Sequence, residues 1–278
     1  MTWRGRALLR NAINTAITAA ICVVALFPIL WGISTSLKPA DRILAFPPEF
    51  LPSSVTLEHY ALLFQTGIQH PILNSALVSA ATVLLSLSIG SVAAYALARF
   101  EFAGRRAILF AVIAAMSIPL PSLLVPSFTF LALLGLTNSL VGLSLLYTAY
   151  QLPITVWILY GYFQTLPAEL ERAAMIDGYS RLQVLRKIVL PLSTPGLVAA
   201  GLFVVTFAWN DFVVAVAINS SEATRTLPVA IYGYLGFFGR EWGPLTAAAT
   251  VSIIPVLAVF VMFQRYFLSG MTGGGVKG

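Results

Sequence analysis

The chain has 278 residues, of which 59% are hydrophobic and only 9% are charged. Soluble globular proteins carry about 25% charged residues, so a chain this poor in charge cannot expose its whole surface to water. The composition excludes a soluble domain, a coiled coil and a disordered tail, and it predicts an integral membrane protein. The net charge of +6 comes from scattered cations, which do not form the basic patch of a nucleic-acid-binding protein.

Long segments without Asp, Glu, Lys or Arg recur along the chain and mark the predicted membrane spans. A membrane-spanning helix needs ~20 mainly apolar residues, and the uncharged segment 107–168 has room for two, with a turn-like cluster at 135–139 between them. The segments are continuously apolar rather than alternating, which favours helices over a β-barrel. We predict an all-α integral membrane protein with six transmembrane helices, at about 13–37, 71–98, 107–134, 139–164, 197–218 and 245–267.

The distribution of positive charge among the loops predicts the orientation. With the N-terminus inside, 12 of the 16 Lys and Arg residues are cytoplasmic, and only Lys38, Arg42, Arg225 and Arg240 lie outside. Because positive residues accumulate on the cytoplasmic side, we predict a multi-pass membrane protein with both termini in the cytoplasm. The first apolar segment is long and lacks a clear small-residue cleavage site, so we expect a retained helix rather than a signal peptide.

The cytoplasmic segment 166–191 is long and amphipathic, and it predicts two short helices that meet at a bend. Thr165 can cap the first helix, and Gly178 can end it in a left-handed conformation. Ser180 and Gln183 have the spacing of a capping box at the start of the second helix. The residues alone leave two interpretations open: an ordinary interfacial helix, or a small-residue surface that another protein approaches closely.

The amino-acid sequence of segment 166–191 resembles that of a known protein family. The sequence is ELERAAMIDG at 169–178 and IVLPL at 188–192, so paired alanines and Asp-Gly precede a Leu-Pro by about a dozen residues. This pattern resembles the EAA loop in the membrane subunits of binding-protein-dependent ABC importers. The same family is resembled by Pro119 and Pro126 in the third span and by FAWNDF at 207–212. The tail GMTGGGVKG at 270–278 is similar to that of the shorter, maltose permease G type of subunit in carbohydrate importers.

The resemblance implies a type I ABC importer transmembrane domain whose 166–191 loop is a coupling helix docked on a separate ATPase. The ATPase-coupling residues that it implies are Glu169, Glu171, Arg172, Ala173, Ala174, Asp177, Gly178 and Pro191. Arg172 occupies the position of the family's motif glutamate, which puts that residue's salt bridge to the ATPase in doubt, and Glu169 or Glu171 is the expected substitute. In the maltose type the tail, 268–278 here, reaches between the ATPase subunits, so Gly275, Val276 and Lys277 are expected contacts; a disordered end is the alternative.

The resemblance also implies a location in the bacterial cell membrane and the partners: a second permease subunit, two ATPase subunits and an extracytoplasmic solute-binding protein that delivers a sugar or sugar-like solute. No phosphate-loop motif occurs in the sequence, so we expect a non-catalytic chain with ATP and Mg²⁺ on the partner ATPase. We expect no cofactor or metal on this chain, because Cys22 is the only cysteine and neither His59 nor His70 has a glutamate partner at helical spacing.

Asp211 is the only acidic residue within a predicted span, and it follows Trp209 and Asn210. A carboxylate at the centre of a membrane helix costs ~2.5–3.5 kcal/mol, so such a residue usually has a function. An indole, an amide and a carboxylate together suit a sugar, although neighbours on a helix point about 100° apart and cannot all face one cavity. The three residues therefore either line a solute pathway or bond a neighbouring helix.

Pro119, Pro121 and Pro126 lie within the third predicted span, where each removes a backbone donor and can bend the helix. Such bends either line a gated cavity or serve as fixed packing kinks. Two other classes of function compete with an importer subunit. A self-contained secondary transporter predicts internal repeats, which we do not find, and a membrane enzyme needs a catalytic constellation, which is not visible either.

Overall fold

The computed structural model describes the backbone of residues 3–236 and 241–272, and the side chains of residues 11–236 and 241–264. Within these residues the regular structure is helical and contains no strand, which confirms the predicted all-α class. The α-helices, in chain order, are α1 (Trp3–Ser36), α2 (Glu58–Gln65), α3 (Gln69–Arg99), α4 (Arg105–Met116), α5 (Leu120–Leu133), α6 (Leu140–Thr165), α7 (Ala168–Ile176), α8 (Arg181–Val184), α9 (Leu190–Leu192), α10 (Thr194–Asn210), α11 (Val213–Ile218), α12 (Leu227–Tyr232) and α13 (Trp242–Thr272).

Four of the described helices are long and apolar enough to cross a membrane, namely those within α1, α3, α6 and α13. The number rises to six if each of two bent helix pairs forms one span. One pair is α4 with α5, bent by 102°, and the other is Arg181–Leu192 with α10, bent by 81°. The orientation in the membrane and the exact number of spans stay predictions.

Proline explains the bend between α4 and α5. Helix α4 ends at Met116, and Pro119 is the extended N-cap residue of α5, with Pro121 in the first turn. Residues that precede a proline disfavour the helical conformation, and proline itself has no amide hydrogen to donate. Pro126 lies inside α5 without ending it. Pro119 and Pro121 therefore set the direction of α5 relative to α4.

The predicted span 197–218 differs from the structure, because it is interrupted near its middle. Helix α10 ends at Asn210, Asp211 is extended with φ −69° and ψ 124°, and α11 begins at Val213. Apolar residues flank Asn210 and Asp211 on both sides, so hydropathy averaged over the span does not reveal the break.

The chain divides into two compact units, Met1–Ile68 with Ile231–Ile254 and Gln69–Ala230 with Pro255–Gly278. In the first unit the loop that follows α1 folds back on the end of that helix. Trp31 and Phe27 contact the ring of Phe50, and buried Lys38 places its ammonium 4.5 Å from the Trp31 ring centre. His59 bonds the carbonyl of Lys38 at 2.9 Å.

The second unit has α3, α6 and α10 as its core. Close approach of α3 to α6 depends on Gly90, because a Cβ there would lie 2.6 Å from Cγ2 of Thr155. Inside a membrane the hydrophobic effect does not drive helices together, because the lipid is as apolar as the side chains. Small residues such as this glycine let the helices approach closely enough for van der Waals packing. Two hydrophobic clusters lie in this unit, one around Phe163 and Val189 and the other around Tyr147 and Ile218.

Candidate coupling surface and membrane cavity

Segment 168–192 forms two short helical stretches that meet at a turn, as the sequence predicts. Helix α7 ends just before Gly178, which adopts a left-handed conformation with φ +89°. The amide of Tyr179 donates to the carbonyl of Ala174 at 3.0 Å, and the amide of Gly178 donates to the carbonyl of Met175 at 3.1 Å. These two bonds form a Schellman cap, which confirms that Gly178 ends the helix.

The second stretch begins with the predicted capping box. Ser180 Oγ accepts from the amide of Gln183 at 3.4 Å, and Gln183 Oε1 accepts from the amide of Ser180 at 2.8 Å. Helix α8 then continues through a π-helical turn, Leu185–Val189, into α9.

The predicted cap at Thr165 is wrong. Its hydroxyl donates to the carbonyl of Tyr162 at 2.7 Å, within the last turn of α6. Leu166 is extended because it precedes Pro167, so Thr165 belongs to the helix before the turn rather than to the one after it. Pro167 occupies the N-cap position of α7, where no side chain accepts from the first amides.

One face of these helices is buried in the second unit. Ala174 packs with Val184 and Val189 in a hydrophobic cluster that also contains Phe163 of α6 and residues of α3 and α10. Glu171, on the same side of α7, is only 4% exposed. The buried face therefore fixes α7 and α8 against the ends of the long helices.

The opposite face is exposed and partly apolar. Ile176 is 86% exposed, Leu182 is 60% exposed and Leu170 is 46% exposed. Exposed apolar side chains that lie together indicate a contact surface for another protein. We call this surface the outer coupling face; its residues are Glu169, Leu170, Arg172, Ala173, Ile176, Asp177 and Leu182.

Glu171 forms a buried ion pair with Arg99, the last residue of α3. Arg99 Nε donates to Glu171 Oε1 at 2.6 Å, and the Tyr95 hydroxyl donates to Oε2 at 2.9 Å. The Arg99 and Glu171 side chains are 12% and 5% exposed. A second nitrogen of the guanidinium donates to the carbonyls of Phe163 at 2.8 Å and Leu166 at 3.0 Å, where α6 ends.

The structure thus separates the eight predicted coupling residues into different environments. Glu169, Arg172, Ala173 and Asp177 lie on the outer coupling face, Glu171 and Ala174 are buried, Gly178 makes the turn, and Pro191 is exposed in α9.

The sequence analysis did not identify Leu170 and Ile176, although positions 170, 173 and 176 have the spacing that places residues on one helix face. It also missed Arg99 and Tyr95, because no local pattern connects residues so far apart in the chain.

Trp209, Asn210 and Asp211 do not converge on one site. The Asn210 amide nitrogen donates to the carbonyl of Thr206 at 2.8 Å, within its own helix. Asp211 Oδ2 accepts from the Tyr147 hydroxyl at 2.7 Å and from the first amides of α11, those of Val214 at 3.1 Å and Ala215 at 3.0 Å. Asp211 therefore caps a helix and bonds a neighbouring one.

Trp209 lines a cavity of about 740 Å³ in the second unit. The walls come from α3, α6, α10 and the part of α13 after Ile254, and they are mainly apolar and aromatic. Gln151 and Ser79 contribute polar groups, and Ser79 Oγ is buried without a hydrogen-bond partner among the described residues. Apolar walls with a few polar groups are typical of small-molecule sites.

The predicted tail contacts, Gly275, Val276 and Lys277, lie outside the described residues.

Within the described residues the regular structure is all helical, and one face of a pair of short helices is exposed while the other is buried against the long helices. Residues 86–273 match the family model of the binding-protein-dependent transport system inner membrane component. The chain belongs to this family, and it is the permease subunit of an ABC importer in the membrane. The resemblance found in the EAA-type segment is confirmed.

Relatives match almost the whole chain. The sulfoquinovosyl glycerol transport system permease protein SmoH of Agrobacterium fabrum is 41% identical over 94% of this chain and 93% of its own length. The trehalose/maltose transport system permease protein MalG of Thermococcus litoralis is 37% identical over 93% of this chain and 94% of its own length.

A solved structure supports the fold. One chain of a bacterial ABC transporter involved in the import of the acidic polysaccharide alginate superposes with a TM-score of 0.84. The match covers 96% of this chain and 99% of that chain, at 23% sequence identity. The fold is therefore that of a type I ABC importer permease.

Proposed function

We propose that this permease subunit translocates a sugar or sugar-like solute, and that a separate ATPase drives it through the outer coupling face. The solute reaches it from an extracytoplasmic binding protein, and a second permease subunit completes the membrane pathway. Two ATPase subunits bind the ATP and Mg²⁺, so this chain itself is non-catalytic. The sugar class is supported by the transport functions in the names of both relatives described above.

The exposure of Ile176 is the observation that carries the docking part of this proposal. Ile176 is 86% exposed and lies on the same helix face as the exposed Leu170, with Ala173 between them, whose small side chain permits close approach. The helices beneath are fixed by the buried cluster around Phe163 and Val189, so a force on this face reaches the long helices. Rigid attachment with an apolar contact surface is what a coupling helix needs.

Replacing Ile176 tests the docking. Ile176→Glu places a charge in an apolar contact, and we expect the ATPase to stop co-purifying with the permease while the permease still inserts in the membrane. Ile176→Leu is the matched control, since it keeps an apolar side chain of the same size. Normal co-purification and normal uptake with Ile176→Glu would contradict the proposal.

Trp209 supports a solute pathway through the cavity in the second unit. Its indole forms part of the apolar wall of this cavity, on which a sugar ring can pack, and Gln151 contributes a polar group to the same wall. Asn210 and Asp211 have the contacts of helix structure instead, so we assign the pathway to Trp209 and not to the whole triplet.

Uptake kinetics test this assignment. Trp209→Ala should reduce the maximal rate of sugar uptake while binding-protein affinity for the sugar stays unchanged. Trp157→Ala is the matched control, because Trp157 is 41% exposed and does not line the cavity. Equal effects of both substitutions would contradict a pathway role.

The tail is proposed as a second ATPase contact on sequence resemblance alone. Deleting 273–278 should leave membrane insertion intact, because no predicted span is touched, and should reduce uptake. A cysteine at Val276 should crosslink to the ATPase in a nucleotide-sensitive way, in a Cys22→Ser background that has no other cysteine. Full uptake by the truncated chain without any such crosslink would leave a disordered end as the interpretation.

A further inference from the structure

Helix α7 has few covalent constraints of its own. Leu166 and Pro167 connect it to α6, and the turn at Gly178 connects it to α8. Connections this short keep α7 close to α6 and α8, but they do not by themselves fix its rotation about its own axis. The non-covalent contacts of α7 therefore decide how completely a displacement of this helix is passed to the long helices.

The Arg99 guanidinium is placed to make those contacts. It belongs to the last residue of α3, bonds the carboxylate of Glu171 in α7, and donates to the carbonyls of Phe163 and Leu166 at the end of α6. The last carbonyls of a helix lack partners within the helix and attract a cation. One side chain thus joins three elements, and Tyr95 adds a second bond from α3 to Glu171.

The same residues reach the second helical stretch. The Phe100 ring packs edge-on against Tyr95, with ring centres 6.0 Å apart, and the Arg181 guanidinium lies 5.3 Å from the centre of the Phe100 ring. Arg181 is the first residue of α8. Both helices that bear the outer coupling face are therefore connected to the end of α3.

We propose that Arg99 and Glu171 are positioning residues for coupling, whose buried ion pair makes α7 move as one body with the ends of α3 and α6. The proposal rests on the proposed function, because it takes α7 to be the helix on which the ATPase acts. It also assigns Glu171 a role inside this chain, so Glu171 is not the replacement for the motif glutamate at the ATPase. Of the two expected substitutes, only Glu169 is exposed.

The experiment uses the complete transporter, with its second permease, ATPase and binding protein, in proteoliposomes. Glu171→Gln keeps the shape of the side chain and removes its charge. The double variant Arg99→Met with Glu171→Leu replaces the ion pair by apolar side chains, which avoids leaving one buried charge unpaired. Glu101→Gln and Arg106→Met are the matched controls, since both residues are exposed and lie close to Arg99 in sequence.

Two quantities are measured: the ATPase that co-purifies with the permease, and the solute imported for each ATP hydrolysed. We expect both pair variants to retain the ATPase, because the outer coupling face is unchanged, and to import about tenfold less solute per ATP. The controls should match the unmodified transporter. Arg99→Lys keeps a cation but not the forked donors, so we expect it to recover only part of the coupling.

Two results would overturn the proposal. Unchanged solute import per ATP in the assembled pair variants would show that the ion pair does not transmit motion. Loss of uptake in strict proportion to permease abundance in the double variant, which leaves no charge unpaired, would show that the pair serves folding alone. Normal coupling in the pair variants together with lost docking in Ile176→Glu would remove this proposal and keep the proposed function. Unchanged docking in Ile176→Glu would instead remove the docking part of the proposed function.

Discussion

Two carboxylates inside the second unit are held in different ways. Glu171 pairs with a guanidinium from another helix, and its second oxygen accepts from a tyrosine. Asp211 has no cation among the partners that the structure shows; it accepts from the Tyr147 hydroxyl and from two backbone amides at the start of α11. Glu171 therefore joins separate helices by charge, whereas Asp211 stabilises a break within one apolar segment.

The carboxylates of Asp211 and Glu171 stabilise the structure in different ways. A carboxylate at a helix N-terminus satisfies amides that have no partner within the helix, which makes the break in span 197–218 stable in an apolar environment. An ion pair between helices has a different consequence, because removing one member leaves the other buried and unpaired. The coupling region is thus more sensitive to single substitutions than the membrane break.

The largest effect is expected from removing the cation. Arg99→Leu leaves Glu171 buried without its partner, which should lower the free energy of unfolding by ~3–5 kcal/mol. The double variant Arg99→Leu with Glu171→Leu should lose much less, because no charge stays unpaired. Thermal unfolding of the purified complex measures both, with Arg106→Leu as the control. Equal destabilisation by the single and the double variant would contradict the comparison.

Asp211 should give a smaller effect of a different kind. Asp211→Asn weakens the bonds to Tyr147 and to the amides of α11, and we expect a loss of ~1–3 kcal/mol in the free energy of unfolding. Uptake per permease molecule should stay normal, since the carboxylate is engaged in helix structure. Tyr147→Phe, which removes only one of these bonds, should cost less than Asp211→Asn. A fall in uptake per molecule at normal stability would favour the pathway interpretation instead.

The two regions also differ in how far the sequence predicts them. The coupling segment follows from local chemistry, because Gly178 and the pair Ser180 and Gln183 act within a few residues of themselves. The break at Asp211 depends on Tyr147, which is 64 residues away, and the Glu171 pair depends on Arg99, which is 72 residues away. Charge-free stretches locate membrane helices, but they do not locate the tertiary bonds that interrupt or connect them.

The turn after α7 provides a further test of the coupling region. Gly178 has φ +89°, and a side chain in this conformation costs ~1–2 kcal/mol. Gly178→Ala should therefore lower stability by about that amount and reduce uptake, because α7 and α8 no longer meet at the same angle. Gly161→Ala is the matched control. Gly161 is inside α6, and the space that an alanine Cβ would occupy is open, so alanine should be neutral or stabilising there. Similar melting shifts for the two variants would contradict a strained turn.

The smallest effect is expected at the capping box of α8. Ser180→Ala removes the acceptor for the Gln183 amide, and the loss of an N-cap side chain costs ~1 kcal/mol. Ser180→Gly should cost only a few tenths of a kcal/mol, because water can reach the exposed amide and glycine suits the cap conformation.

Amide hydrogen exchange at 181–184 is the sharpest measurement, since it reports fraying of α8 without requiring global unfolding. Exchange should be fastest in Ser180→Ala, intermediate in Ser180→Gly and slowest in the unmodified chain, while exchange in α7 stays unchanged. The opposite order for alanine and glycine would show that helix propensity, rather than the cap, controls this end. In that case the second helical stretch is held by its buried contacts around Val184 and Val189 alone.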